Sequence, residues 1–147
     1  MFDSSVLGVD PGVAATGLAV VVRGGAALRV VWSSTVRTPA GLAEPERLRR
    51  LHEAVRAAIL RHRPAAVALE AVRWNRNVTS AMAVSRATGV VLLAAAQAGV
   101  PVEEYGPLEV KMAVTGSGAA DGARPDRATA VESQGCDPSV GGRGPLD

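Results

Sequence analysis

Hydrophobic and polar positions along this chain follow two rhythms, and the change from one to the other divides it. Between Ser5 and Arg37 the apolar residues are aliphatic, often β-branched, and come in short runs. These are SVLGVD, then LAVVVR after the turn-like PGVAATG, then AALRVVWSSTVR after Gly24 and Gly25. Runs of strand length separated by glycine-bearing turns predict three strands in an antiparallel meander. The stretch TPAGLAEPE, with two prolines and a glycine, ends it. Leu48, Leu51, Val55 and Ile59 then keep helical spacing, with Arg47, Arg49, Arg50, Arg56 and Arg61 on other faces. That predicts a helix with Pro45 in its first turn and Pro64 at its end. AAVALE predicts a fourth strand, NVTSAMAVSRATGVVLLAAAQAG a more apolar second helix stopped by Gly99, VPVEEYG a fifth strand, and PLEVKMAVTG a short third helix. The order βββαβαβα is that of an α/β domain with a mixed sheet and packed helices.

The pattern stops after Asp121. Residues 122–147 hold eight Gly or Pro, and only Val131, Val140 and Leu146 are large and apolar. No helical or strand periodicity survives there, so the expected organisation is one domain over 1–121 and an irregular or disordered tail over 122–147.

Composition changes this picture little. With 48% hydrophobic and 3% aromatic residues among 147, the core must be aliphatic. Lys111 is the sole lysine among 16 basic residues, and a net charge of +2 permits a nucleic-acid partner without demanding one. A single cysteine, Cys136, excludes an internal disulfide and fits a reducing cytosol. MFDSS has no basic region followed by an apolar one, and the longest uncharged stretch, between Arg86 and Glu103, is short for a bilayer. The expectation is a cytoplasmic protein without a membrane partner.

The candidate chemistry lies at two strand ends. VLGVD and VALE are apolar strands whose last residue is an acid, Asp10 and Glu70. On neighbouring strands the two carboxylates come to one place, where they repel unless a proton or a cation intervenes. A hard divalent ion such as Mg²⁺ or Mn²⁺ suits such oxygen donors and organises phosphate chemistry. The plainer reading also stands: DPG is a good turn sequence, and Glu70 can be a solvated strand end. Just after Glu70, RWNRN (Arg73, Trp74, Asn75, Arg76, Asn77) combines guanidinium groups for phosphates, an indole for stacking and amides for base edges. His52 and His62, on the first helix, are expected at solvated surface positions.

LGVDPGVAATGLAVV, ALEAV, the helix TSAMAVSRATGVVLLAAA and EVKMAVTGSGAAD resemble, in order and spacing, the RuvC family of Holliday-junction resolvases over about residues 6–121. The resemblance implies a ribonuclease-H-like fold: a mixed sheet, with the three-strand antiparallel meander plus parallel strands, flanked by helices. It implies a homodimeric, metal-dependent endonuclease on four-way DNA junctions, in recombination and repair, with a branch-migration motor as partner. It makes Asp10 and Glu70 catalytic and metal-binding, with two Mg²⁺ ions (Mn²⁺ as substitute) promoting water attack on a phosphodiester. Arg73, Trp74, Asn75, Arg76, Asn77 and Lys111 become DNA-binding. The family's aromatic wedge stands one residue nearer the glutamate, at Arg73, so the wedge role passes here to Trp74.

The departures carry equal weight. The family's further acids, on a C-terminal helix of the D-A-A-D-A kind, have no counterpart; Asp126, Asp137 and Asp147 are isolated. Gly122 replaces an expected basic residue. A shifted reading frame or equivalent truncation near codon 122 would produce such a break. Two carboxylates facing two divalent ions leave an excess of positive charge, so weakened metal binding and doubtful cleavage are expected. A non-cleaving junction-binding protein is therefore the competing reading. An ATP-binding domain of the actin and sugar-kinase type also handles phosphate at a strand–Asp–x–Gly hairpin, but needs two large lobes. Pre-resolvase nucleases share the hairpin; DPG and LEAV favour RuvC. Met82, Val90, Val91, Leu92 and Leu93 surround the second helix with more apolar surface than one sheet contact requires, leaving room for a partner helix.

Overall fold

The computed structural model describes residues 4–25, 27–72 and 77–106. The expected third helix, the tail, Lys111 and Arg73 to Arg76 lie outside them. The elements run β1 (Ser5–Asp10), β2 (Ala15–Gly24), β3 (Ala27–Arg37), α1 (Glu44–His62), β4 (Ala66–Glu70), α2 (Val78–Gln97) and β5 (Val102–Tyr105). They form one five-stranded sheet in the order β3-β2-β1-β4-β5. The pairs β1–β2 and β2–β3 are antiparallel, while β1–β4 and β4–β5 are parallel. This is the mixed sheet expected from the sequence. The first turn is tighter than PGVAATG suggests, because Ala15, Thr16 and Gly17 already pair with Arg37, Val36 and Thr35 and so belong to β2.

Strand alternation decides which face is the core. Leu7 and Val9, Leu18 and Val20, and Val67 and Leu69 are all buried. They pack against Leu51, Val55, Ala58 and Ile59 of α1 and Ala87, Val91, Ala94 and Ala95 of α2. The intervening positions Gly8, Ala19 and Ala68 face the other way. The helices are delimited by local chemistry. Pro45 sits in the first turn of α1, and Arg63, in the left-handed region at φ 46°, closes its end. Asn77 caps α2 by accepting a hydrogen bond from the Ser80 amide at 3.2 Å. Gly99 (φ 69°) ends α2, with Val100 N–H bonded to the Ala95 carbonyl and Gly99 N–H to that of Ala96. That pair of bonds is a Schellman closure, and it needs a residue free to take positive φ.

One expectation is corrected. His62 is not a solvated surface residue: its ring packs on Trp32 with centroids 4.7 Å apart, and its Nε2 is buried without a partner among the described residues. Burial, with the Arg61 charge beside it, pushes the imidazole below its ordinary range. By length and composition α2, Val78–Gln97, is apolar enough to cross a membrane. In the fold it packs on α1 and the sheet, and Ala81, Ala87, Thr88, Val91, Ala94 and Ala95 are buried.

Candidate active site

The parallel pairing of β1 with β4 brings the two acids together. Val9 is opposite Leu69, so Asp10 and Glu70 are the next residues on adjacent strands, sixty positions apart in sequence. Asp10 is also opposite Gly17, Gly17 opposite Thr35, and Glu70 opposite Tyr105. Residues in direct register share a face. One row therefore crosses all five strands: Thr35, Gly17, Asp10, Glu70, Tyr105. Glycine at position 17 leaves the Asp10 side chain uncrowded on that flank, since a Cβ there would come only to van der Waals distance, 3.8 Å, from the Asp10 Cβ.

Below this row the sheet bears Ser33, Ala19, Gly8 and Ala68, again in register. Small residues at the centre and larger ones on both flanks make a trough of about 660 Å³ lined by both acids, the β3 hydroxyls and Tyr105. The Tyr105 hydroxyl donates to Glu103 at 2.8 Å, which lays its ring along β5 as the far wall.

Asp10 is exposed and Glu70 half-buried. Burial first, then the Asp10 charge and a hydrogen bond shared with Asp10, push the Glu70 carboxyl above its ordinary range. The strand ends thus bring together two oxygen donors that resist ionising side by side. A hard divalent cation fits this donor set, since it takes carboxylate oxygens and relieves the repulsion. Among the described residues no third His, Cys, Asp or Glu joins the pair.

Of the other candidate site residues, only Asn77 is described, and its side-chain oxygen caps α2. Arg73, Trp74, Asn75, Arg76 and Lys111 lie outside the described residues. Thr35 and Tyr105 were missed. Tyr105 had a legible signal: it ends VEEY as Asp10 ends VLGVD and Glu70 ends VALE.

The sequence profile described as crossover junction endodeoxyribonuclease RuvC matches residues 6–127 of this chain. The chain belongs to the RuvC family. RuvC of Chloroflexus aggregans is 50% identical over 115 residues, covering 78% of this chain and 70% of the relative. RuvC of Brevibacillus brevis is 46% identical over 116 residues, covering 79% and 70%. The structure of T. thermophilus RuvC in complex with a Holliday junction substrate superposes with a TM-score of 0.76 at 41% identity, covering 81% of this chain and 73% of that one. The RuvC profile thus continues past Asp121, where the motif likeness ends. Membership places the chain among crossover junction endodeoxyribonucleases of ribonuclease-H-like fold.

Proposed function

We propose that this protein is a structure-specific endonuclease of Holliday junctions whose chemistry is centred on Asp10 and Glu70. The observation that carries the reading is the register placing both carboxylates at the ends of parallel β1 and β4, at the head of one trough. The two side chains would hold Mg²⁺, or Mn²⁺ in its place. When bound, such ions supply positive charge to a water and to the scissile phosphate, stabilising the attacking and leaving oxygens of phosphodiester hydrolysis. The protein's own part is to orient. Burial and the Asp10 charge raise the Glu70 carboxyl above its ordinary range, so a cation shared with Asp10 would favour its ionised form. The Tyr105 ring and the β3 hydroxyls wall the space where a phosphodiester would lie.

Around this centre, Arg73 and Arg76 would pair with phosphates, Trp74 stack on an unpaired base, and Asn75 and Asn77 reach base edges. Asn77 has its NH₂ group for that purpose, since its oxygen caps α2. Lys111 would add a further phosphate contact. The functional unit is a homodimer acting on a four-way junction, in the cytoplasm, alongside a branch-migration motor. The dimer surface is the outer stripe of α2. Val78, Met82, Leu92 and Leu93 are exposed there, with Gly89 between them where a second helix could approach closely.

Catalytic competence is reduced, because two carboxylates neutralise one divalent ion and not two. That no third acid or histidine joins the pair among the described residues favours a second reading, a protein that binds junctions without cutting them. The nuclease domain would be residues 1–121, with no acidic run of the family's D-A-A-D-A kind in the sequence of 122–147. A synthetic four-way junction, with Mg²⁺ and a metal-free binding assay in parallel, separates the two readings. Symmetric nicking abolished by Asp10→Asn supports the endonuclease. Binding with no nicking at any Mg²⁺ or Mn²⁺ concentration supports the second reading, and absence of both overturns the proposal.

A further inference from the structure

Arginine supplies nearly all the positive charge of this chain, yet one arginine of α1 is turned inward. The Arg47 side chain keeps 18% of its exposure, against 54% for Arg49 and 47% for Arg50 in the same helix. Its guanidinium reaches two segments outside the helix and one residue of the helix's own first turn. Nε donates to the Thr38 hydroxyl at 3.2 Å, just after β3. An NH₂ group donates to the Val13 carbonyl, in the turn between β1 and β2. The other lies 3.8 Å from a Glu44 carboxylate oxygen in the first turn of α1. Glu44 is in turn 3.7 Å from Arg86 of α2.

The turn held in this way leaves directly from Asp10. Pro11 is buried, and a Cβ on Gly12 would lie 2.3 Å from the Ala15 carbonyl oxygen, so no other residue fits without moving backbone. The Thr38 amide donates to the Ala14 carbonyl at 3.1 Å. The turn is therefore pinned at Pro11, Gly12, Val13 and Ala14 in succession, with Arg47 the only side chain that reaches it from a helix among these contacts. Asp10 is the last residue of its strand, so the direction of its carboxylate depends on where the chain goes next.

We propose that Arg47 is a positioning residue: by clamping the Val13 carbonyl to α1 and Thr38 it aims Asp10 so that its carboxylate can share one cation with Glu70. The inference rests on the reading of Asp10 and Glu70 as metal ligands. The geometry requires arginine, because a lysine ammonium cannot satisfy three directions with a planar fork. Groups that orient a metal ligand from outside typically change affinity by about 10–100-fold when removed.

Mn²⁺ binding to the full chain, followed by electron paramagnetic resonance, tests this on wild type, Arg47→Lys, Arg47→Ala and Arg49→Ala. Arg49 is a matched control, since among the described residues it pairs only with Glu46 and Glu53 on the surface of the same helix. Weakening of about tenfold or more is expected for both Arg47 variants, with Arg49→Ala like wild type and low-millimolar guanidinium partly restoring Arg47→Ala. Circular dichroism identifies the folded variants, and Arg47→Lys, which retains the charge, stands in if Arg47→Ala does not fold. Binding by a folded Arg47 variant within about twofold of wild type overturns the proposal. Wild type that binds no Mn²⁺ removes the carboxylate-pair reading, and the positioning role falls with it.

Discussion

Glu70 carries a cost that a proton or a bound cation relieves. Its carboxyl is pushed above the ordinary value of 4.5 by burial and by Asp10. In the unfolded chain it titrates normally, so the folded state binds the proton more tightly. The stability this contributes is full below pH 4.5 and is lost as pH rises through the folded value. At neutral pH the ionised pair strains the metal-free protein. Glu70→Gln is therefore expected to stabilise metal-free protein at pH 7.5 by about 0.5–1 kcal/mol, a figure already reduced for solvent screening of a part-exposed pair. Urea unfolding at pH 4 and pH 7.5 checks it: the gain should vanish at the lower pH. Millimolar Mn²⁺ should raise the melting temperature of wild type and leave the variant unmoved. An unchanged variant at neutral pH would mean that the two acids do not burden each other.

At the scale of elements, much of the architecture was legible, because each strand and helix carried its own period and stop signal. VLGVD and VALE could be recognised as strands ending in acids without knowing that they pair. That Asp10 and Glu70 stand side by side could be stated only conditionally, since register is a property of two strands and local pattern reports on one at a time. Arg47 was invisible for a different reason: in a helix with several arginines, nothing local separates the one that turns inward from those in water. His62 was misplaced because a histidine at a helix end usually faces solvent, whereas here Trp32 of the neighbouring strand offers it a flat apolar surface. Asn77, read as a DNA contact, also holds the first turn of α2. Asn77→Ala should cost about 1 kcal/mol in thermal or urea unfolding, the usual loss when a capping oxygen is removed, while Asn77→Asp should hold stability near wild type. If both substitutions leave stability unchanged, the cap contributes nothing.

For the whole molecule, the sheet presents one face to α1 and α2 and bears the acids on the other, while α2 keeps an apolar outer stripe. If that stripe joins two copies, Leu93→Glu should shift the protein from dimer to monomer in sedimentation velocity without changing its circular dichroism, because the Leu93 side chain is 53% exposed and outside the core. A dimer that survives this change must use another surface. The β1–β4 pairing has one more consequence, in time rather than space. Asp10 leaves the ribosome sixty residues ahead of Glu70, and a parallel strand pair cannot close until the connection between them, here β2, β3 and α1, has been made. A nascent chain carries Asp10 without Glu70 for sixty residues of its synthesis. The two acids meet only when a long-range parallel pairing, a kind of contact that forms slowly, is in place. Any chemistry that needs both carboxylates is therefore absent from a nascent chain until β4 has been made and paired.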